Sequence, residues 1–121
     1  MADVNTAIQE FERGRVQLSN LSIQKQQLQM QSDALFQTIE ELKKSKEEKV
    51  FKFAGSIMIQ APVAEVQKEV EAKKESVDLR FKTVSKQETI LLDKLNRLKS
   101  EIEKAQGVVK KPSESPTSDV S

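Results

Sequence analysis

A short stretch in the middle of the chain, Lys49 to Ala61, reads KVFKFAGSIMIQA, and its apolar residues recur with the period of two that belongs to β-strands. On either side the apolar residues recur every 3.5 residues, the spacing of paired helices. A chain that changes period on entering and leaving one short segment has few folds open to it. Gly55-Ser56 divides the segment, and glycine at the first of two turn positions suits a type II′ hairpin turn. That register sets Ala54 opposite Ile57, Phe53 opposite Met58 and Lys52 opposite Ile59. One face then carries Val50, Ala54, Ile57, Ile59 and Ala61, and the other carries Phe51, Phe53 and Met58. Both faces are apolar. A two-stranded hairpin cannot bury two apolar faces and leaves both edges unpaired. Val50, Phe51, Phe53, Ile57, Met58 and Ile59 are therefore expected to form an oligomerisation surface, completed by strands of other chains.

The flanks read as helices of equal length. From about Val4 to Lys46 there is no Pro and one Gly, and good helix formers abound. Asp3, or Asn5 with Thr6, can cap its start. Its heptad places Val4, Phe11, Leu18 and Ile39 at a positions and Ala7, Leu21, Leu28, Leu35 and Leu42 at d positions. Lys25 and Ser32 interrupt the a row and Gly14 the d row, so the seam is thinner in the middle. Pro62 ends the second strand, and from about Val63 to Gln106 the heptad resumes. Val63, Val70, Val77, Val84, Leu91, Leu98 and Ala105 stand at d, and Phe81, Leu95 and Ile102 at a. Gln67, Lys74 and Glu88 are the polar a residues. Each helix should run about 65 Å at about 1.5 Å per residue. A tight hairpin turn reverses the chain, which predicts an all-α-dominated fold: a long antiparallel coiled-coil hairpin with one β-hairpin at its bend. The domain reading is a coiled-coil body over residues 1–106 and a Ser/Pro-rich disordered tail over 107–121.

Composition narrows the function. Hydrophobic residues are 36% and charged residues 32%, against about 45–50% and about 25% in ordinary globules, which favours extended helices over a broad core. With neither Cys nor His, disulfides, Cys/His zinc sites, thiol nucleophiles and imidazole bases are excluded. No cofactor, metal or catalytic residue is expected, and the chain reads as a non-enzyme. Helical carboxylates such as Glu65 and Glu69 lie among lysines off the seam, where charge partners are the norm. A net charge of +1 provides no field for nucleic acid or an anionic membrane. Arg13, Arg15, Lys25, Lys94, Arg97 and Lys99 are interleaved with Glu10, Glu12, Glu101 and Glu103, as on a solvated helix face. No window reaches the ~20 apolar residues of a membrane span, and residues 1–10 carry acids and no basic leader, so a cytoplasmic protein is expected. More telling is a second apolar row on the first helix, Val16, Ile23 and Met30 at successive f positions with Ile8 nearby at e, opposite the seam.

With these residues in place, the order of a helix, KVFKFAGSIMIQAPV and a second equal helix resembles the beta class of prefoldin. The likeness runs from about Val4 to Gln106. It is most specific from Val50 through Gly55 to Ile59, with helix resuming after Pro62; a single hairpin matches the beta class, since alpha-class chains carry two. The resemblance implies an ATP-independent co-chaperone subunit in a hexamer of two alpha-class and four beta-class chains. Their hairpins would close β-barrels, and the free ends of the coiled coils would hold non-native proteins for delivery to a group II chaperonin. The small set of chain types favours an archaeal over a eukaryotic beta-type chain. On this reading Ile8, Phe11, Val16 and Leu18 of the first helix, with Leu98 and Ile102 of the second, are the client-binding candidates. The alternative is a coiled-coil tether or spacer that docks through its β-hairpin and binds no unfolded protein.

Overall fold

The structure, a computed structural model, describes residues 3–107. In order these form α1 (Val4–Lys44), β1 (Lys49–Ala54), β2 (Ile57–Pro62) and α2 (Val63–Ala105). The tail expected from 107 onward lies, beyond Gly107, outside the described residues. Asp3 stands at the N-cap of α1, its carbonyl accepting from the Ala7 N–H at 3.0 Å. No Gly or Pro stops α1. Instead Lys43 and Lys44 complement the C-terminal end of its dipole, and the Ser45 hydroxyl accepts from the Glu47 N–H at 3.2 Å, drawing the backbone out of the helix. The helix therefore ends slightly short of the expected Lys46.

The described chain falls into two compact units, residues 21–86 and the paired ends 3–20 with 87–107. In the first, β1 and β2 pair antiparallel in the expected register, with Ala54 opposite Ile57, Phe53 opposite Met58 and Lys52 opposite Ile59. Gly55 adopts φ +68°, the left-handed value its turn position needs. Pro62 takes the last position of β2, and the Val63 N–H reaches back to the Glu48 carbonyl at 2.9 Å. One hairpin face is anchored at its base: Ala61 is buried with Leu42 and Val66, and Val50, Val63 and Val70 pack against them. Lys52, on the same face, donates to both carboxylate oxygens of Glu69 at 3.0 and 2.9 Å. That engages one of the carboxylates weighed in the sequence, as a tie between strand and helix.

Two of the polar seam positions in this unit turn out to be joined. Buried Ser32 donates its hydroxyl to Asp78 Oδ1 at 2.6 Å, and Lys74 Nζ donates to Asp78 Oδ2 at 2.8 Å. Half-buried Lys25 lies with its ammonium 5.8 Å from the centre of the Phe81 ring, a cation–π contact. The hydrogen bond from Lys74, then that from Ser32, hold the Asp78 carboxyl below its ordinary 3.8. A carboxyl whose folded value is depressed adds stability above the ordinary value and loses it as pH falls through the lowered one. From about pH 4 down to pH 2 the protein is expected to lose more thermal stability than its Asp78→Asn variant, followed by far-UV circular dichroism. Identical acid-side losses would show that the contact contributes nothing to folding.

In the second unit, Ala7, Leu95 and Leu98 form a buried cluster, with Phe11, Leu18, Leu91 and Ile102 packed around it. Gly14, read in the sequence as a gap, is buried and filled from the facing helix: a Cβ built there would collide with Leu95 Cδ2. Its lack of a side chain makes the socket into which Leu95 fits.

Candidate functional site

The strand pair is the most exposed apolar feature of its unit. Phe51 is 63% exposed, Phe53 76%, Ile57 60% and Met58 55%, with Ile59 also exposed. These are five of the six residues expected to assemble. Val50 differs, being half-buried against the base of the hairpin in its own chain. Alternation explains the division. Pairs set by the register share a face, so Phe51, Phe53 and Met58 all project away from the helices, while Ile57 and Ile59 lie on the anchored face beyond the reach of Leu42 and Val66. Among the described residues the sheet has only these two strands, so each presents an outer edge of N–H and C=O groups that no described strand pairs. Fully covering a large apolar side chain is worth about 1.5–3 kcal/mol. Even partial cover of this surface stabilises a partner by several kcal/mol, and added strands would satisfy the edges in the same step.

The client candidates at the paired ends divide differently. Leu98 is buried in the packing, and Phe11, Leu18 and Ile102 are half-buried against the same cluster. Ile8 and Phe11 come together with Ile102 along a shallow groove of about 280 Å³, rimmed by Glu12, Lys99 and Glu103. Val16 stands apart, at 62% exposure. The structure thus brings three of the six into one open groove and leaves the other three outside it. Ile23 and Met30 of the off-seam row are exposed as expected, and so are Ile90 and Leu92 of α2, which the sequence reading passed over. Their signal was available, since both lie off the a and d rows of their helix.

Arg15 pairs with Glu12 on an exposed helix turn, Nη1 to Oε1 3.4 Å, as on a solvated face. Among the described residues no three His, Cys, Asp or Glu side chains converge to hold a metal ion, and no helix is long and apolar enough to cross a membrane.

Comparison with known proteins agrees with this architecture. The family model described as prefoldin subunit matches residues 5–108. The prefoldin subunit beta of Pyrobaculum arsenaticum is 30% identical, over 86% of this chain and 88% of the relative. That of Saccharolobus islandicus is 27% identical, over 83% of this chain and 80% of the relative. The crystal structure of the prefoldin beta subunit from Thermococcus strain KS-1 superposes with a TM-score of 0.79 at 23% identity, covering 84% of this chain and 90% of that one, which shows the shared fold. A hairpin that needs strands from elsewhere suits a subunit of an assembly, and the chain belongs to the prefoldin family of chaperone subunits, in its beta class.

Proposed function

We propose that this chain enters a cytoplasmic heterohexamer of two alpha-class and four beta-class subunits through its β-hairpin. There its free helix ends hold non-native proteins, without ATP, for delivery to a group II chaperonin. The observation that carries this reading is the exposed, unpaired hairpin with Phe51, Phe53 and Met58 on its outer face. Other prefoldin subunits are the partners that the family supplies. Apolar groups at the helix ends support the second half, because several weak contacts on one client gain effective concentration while each remains releasable.

The test has two readouts. Mixed with an archaeal alpha-class prefoldin chain, this chain should form a discrete assembly, which should suppress aggregation of an unrelated denatured protein at substoichiometric amounts. Ile8→Asp with Val16→Asp changes half-buried and exposed positions. The pair is expected to leave assembly unchanged and to reduce suppression about threefold or more, the loss of two among several weak contacts. An assembly that forms but never suppresses aggregation would instead support the tether.

A further inference from the structure

The hairpin joins α2 without a linker, β2 ending at Pro62 and α2 beginning at Val63. Such a junction is a pivot, and the angle between strands and helix is fixed by whatever reaches across it. The apolar contacts all lie at its foot. On the strand side they come from Val50 and Ala61, a facing pair one step from the last pair, Lys49 and Pro62. Apolar burial is non-directional, so a cluster this close to the pivot holds the strands on the helix and leaves their tilt soft. Farther out on the same face Ala54, Ile57 and Ile59 are exposed. Among the described residues, the tie beyond the foot is the ion pair of Lys52 and Glu69, in which Nζ meets both carboxylate oxygens at 3.0 and 2.9 Å.

The position of that pair makes it a strut. Lys52 stands opposite Ile59, three residues from Pro62, which is about 10 Å from the pivot along the strand at about 3.3 Å per residue. Glu69 stands six residues beyond Val63, about 9 Å along the helix at about 1.5 Å per residue. The two arms and the pair that closes them form a triangle, a figure whose angles are set by its sides. With the side chains 26% and 51% exposed, water competes for the pair and it adds little to folding stability. Its lever arm gives it another use. We propose that Lys52 and Glu69 are positioning residues for assembly: they set the angle at which the hairpin leaves α2, so that Phe51, Phe53 and Met58 meet neighbouring strands in one orientation. A hairpin free to swing offers the competent angle only part of the time, and its apparent affinity falls by that fraction. The step to assembly rests on the hairpin being the contact between subunits; the hold on the angle does not.

The angle is measured on the full chain by double electron–electron resonance. The sequence has no Cys, so spin labels attach cleanly at Ser56→Cys in the turn and Ala72→Cys on α2, both exposed positions, in a sample diluted with unlabelled chain. One narrow distance distribution is expected. Glu69→Lys, which sets two ammonium groups against each other, should broaden it, and the exchanged pair, Lys52→Glu with Glu69→Lys, should narrow it again. An unchanged width in Glu69→Lys would overturn the proposal. Sedimentation with an alpha-class prefoldin chain supplies the second readout. Glu69→Lys is expected to weaken assembly about tenfold, as when the competent angle falls to about a tenth of the population, with a thermal midpoint within a few degrees of the unchanged protein. The exchanged pair is expected to recover most of that loss. A weakening that the exchange does not recover would refute the positioning role, since an ion pair works with its charges in either order. If the unchanged chain forms no assembly with the alpha-class chain, the hairpin-contact reading fails, and the resonance distances still decide the strut.

Discussion

Replacing Phe53 and Met58 together with aspartate is expected to leave a folded, helical chain that no longer enters any prefoldin assembly. The two residues face each other across the strands, and neither is part of the cluster that anchors the hairpin on Leu42 and Val66. Both are more than half exposed in the single chain, so charges there cost the isolated fold little. In the proposed assembly neighbouring strands would cover the same positions, and an unpaired carboxylate there would cost several kcal/mol. Two of them lower subunit affinity by about a thousandfold or more, at about 1.4 kcal/mol for each factor of ten. Sedimentation with interference optics measures this, since the chain has neither Trp nor Tyr. The variant mixed with an alpha-class chain should stay as small species, with its far-UV circular dichroism unchanged. A discrete assembly formed by the variant would mean that the hairpin face is not the contact. Val50→Asp is a poorer probe, because Val50 also packs inside its own chain.

The second large effect runs against the heptad. Gly14→Leu completes the d row of α1 and removes a residue that weakens helices by about 1 kcal/mol, yet it should destabilise the protein. The position is already filled by Leu95, only 5% exposed, and Leu91 Cδ1 lies 3.7 Å from where a Cβ would stand. Overpacking of this kind costs about 1–3 kcal/mol beyond the propensity gain. Leu95→Ala alone should cost about 2–5 kcal/mol by opening a cavity. Because the two side chains compete for one space, the double variant should be more stable than the sum of the single losses by about 0.5–3 kcal/mol. Thermal or denaturant unfolding of the four proteins closes the cycle. Additive losses would show that Gly14 and Leu95 do not share the socket.

These two residues also mark where the sequence was legible and where it was not. Each helix repeats its apolar spacing for many turns, so element type, approximate ends and strand register follow from pattern alone, down to the Ala54–Ile57 pair. Which apolar side chains share the outer face of the hairpin was legible for the same reason, since alternation and one glycine turn decide the faces. What pattern misses is complementarity between the facing rows. Gly14 looks like a defect until Leu95 is set opposite it, and Ser32 and Lys74 look like separate interruptions until Asp78, off both rows, joins them. Spacing gives the face a residue lies on; what stands across from it depends on the tertiary register. The ends were least legible. Ile8, Phe11 and Ile102 share a groove while Leu98 is spent on packing, a division that depends on local exposure and not on type.

The strand pair has a consequence for the protein's supply. FKF followed by a turn and IMI is a segment of high β-propensity with bare edges, the kind that templates further strands. Lys49 and Lys52 are its only charges, and Lys52 is already engaged by Glu69. A copy made in excess of its companions would therefore carry the same sort of surface that a chaperone exists to cover, and would be a client before it could be a subunit. Matched production of the interlocking chains is, in this light, a solubility requirement written into the hairpin.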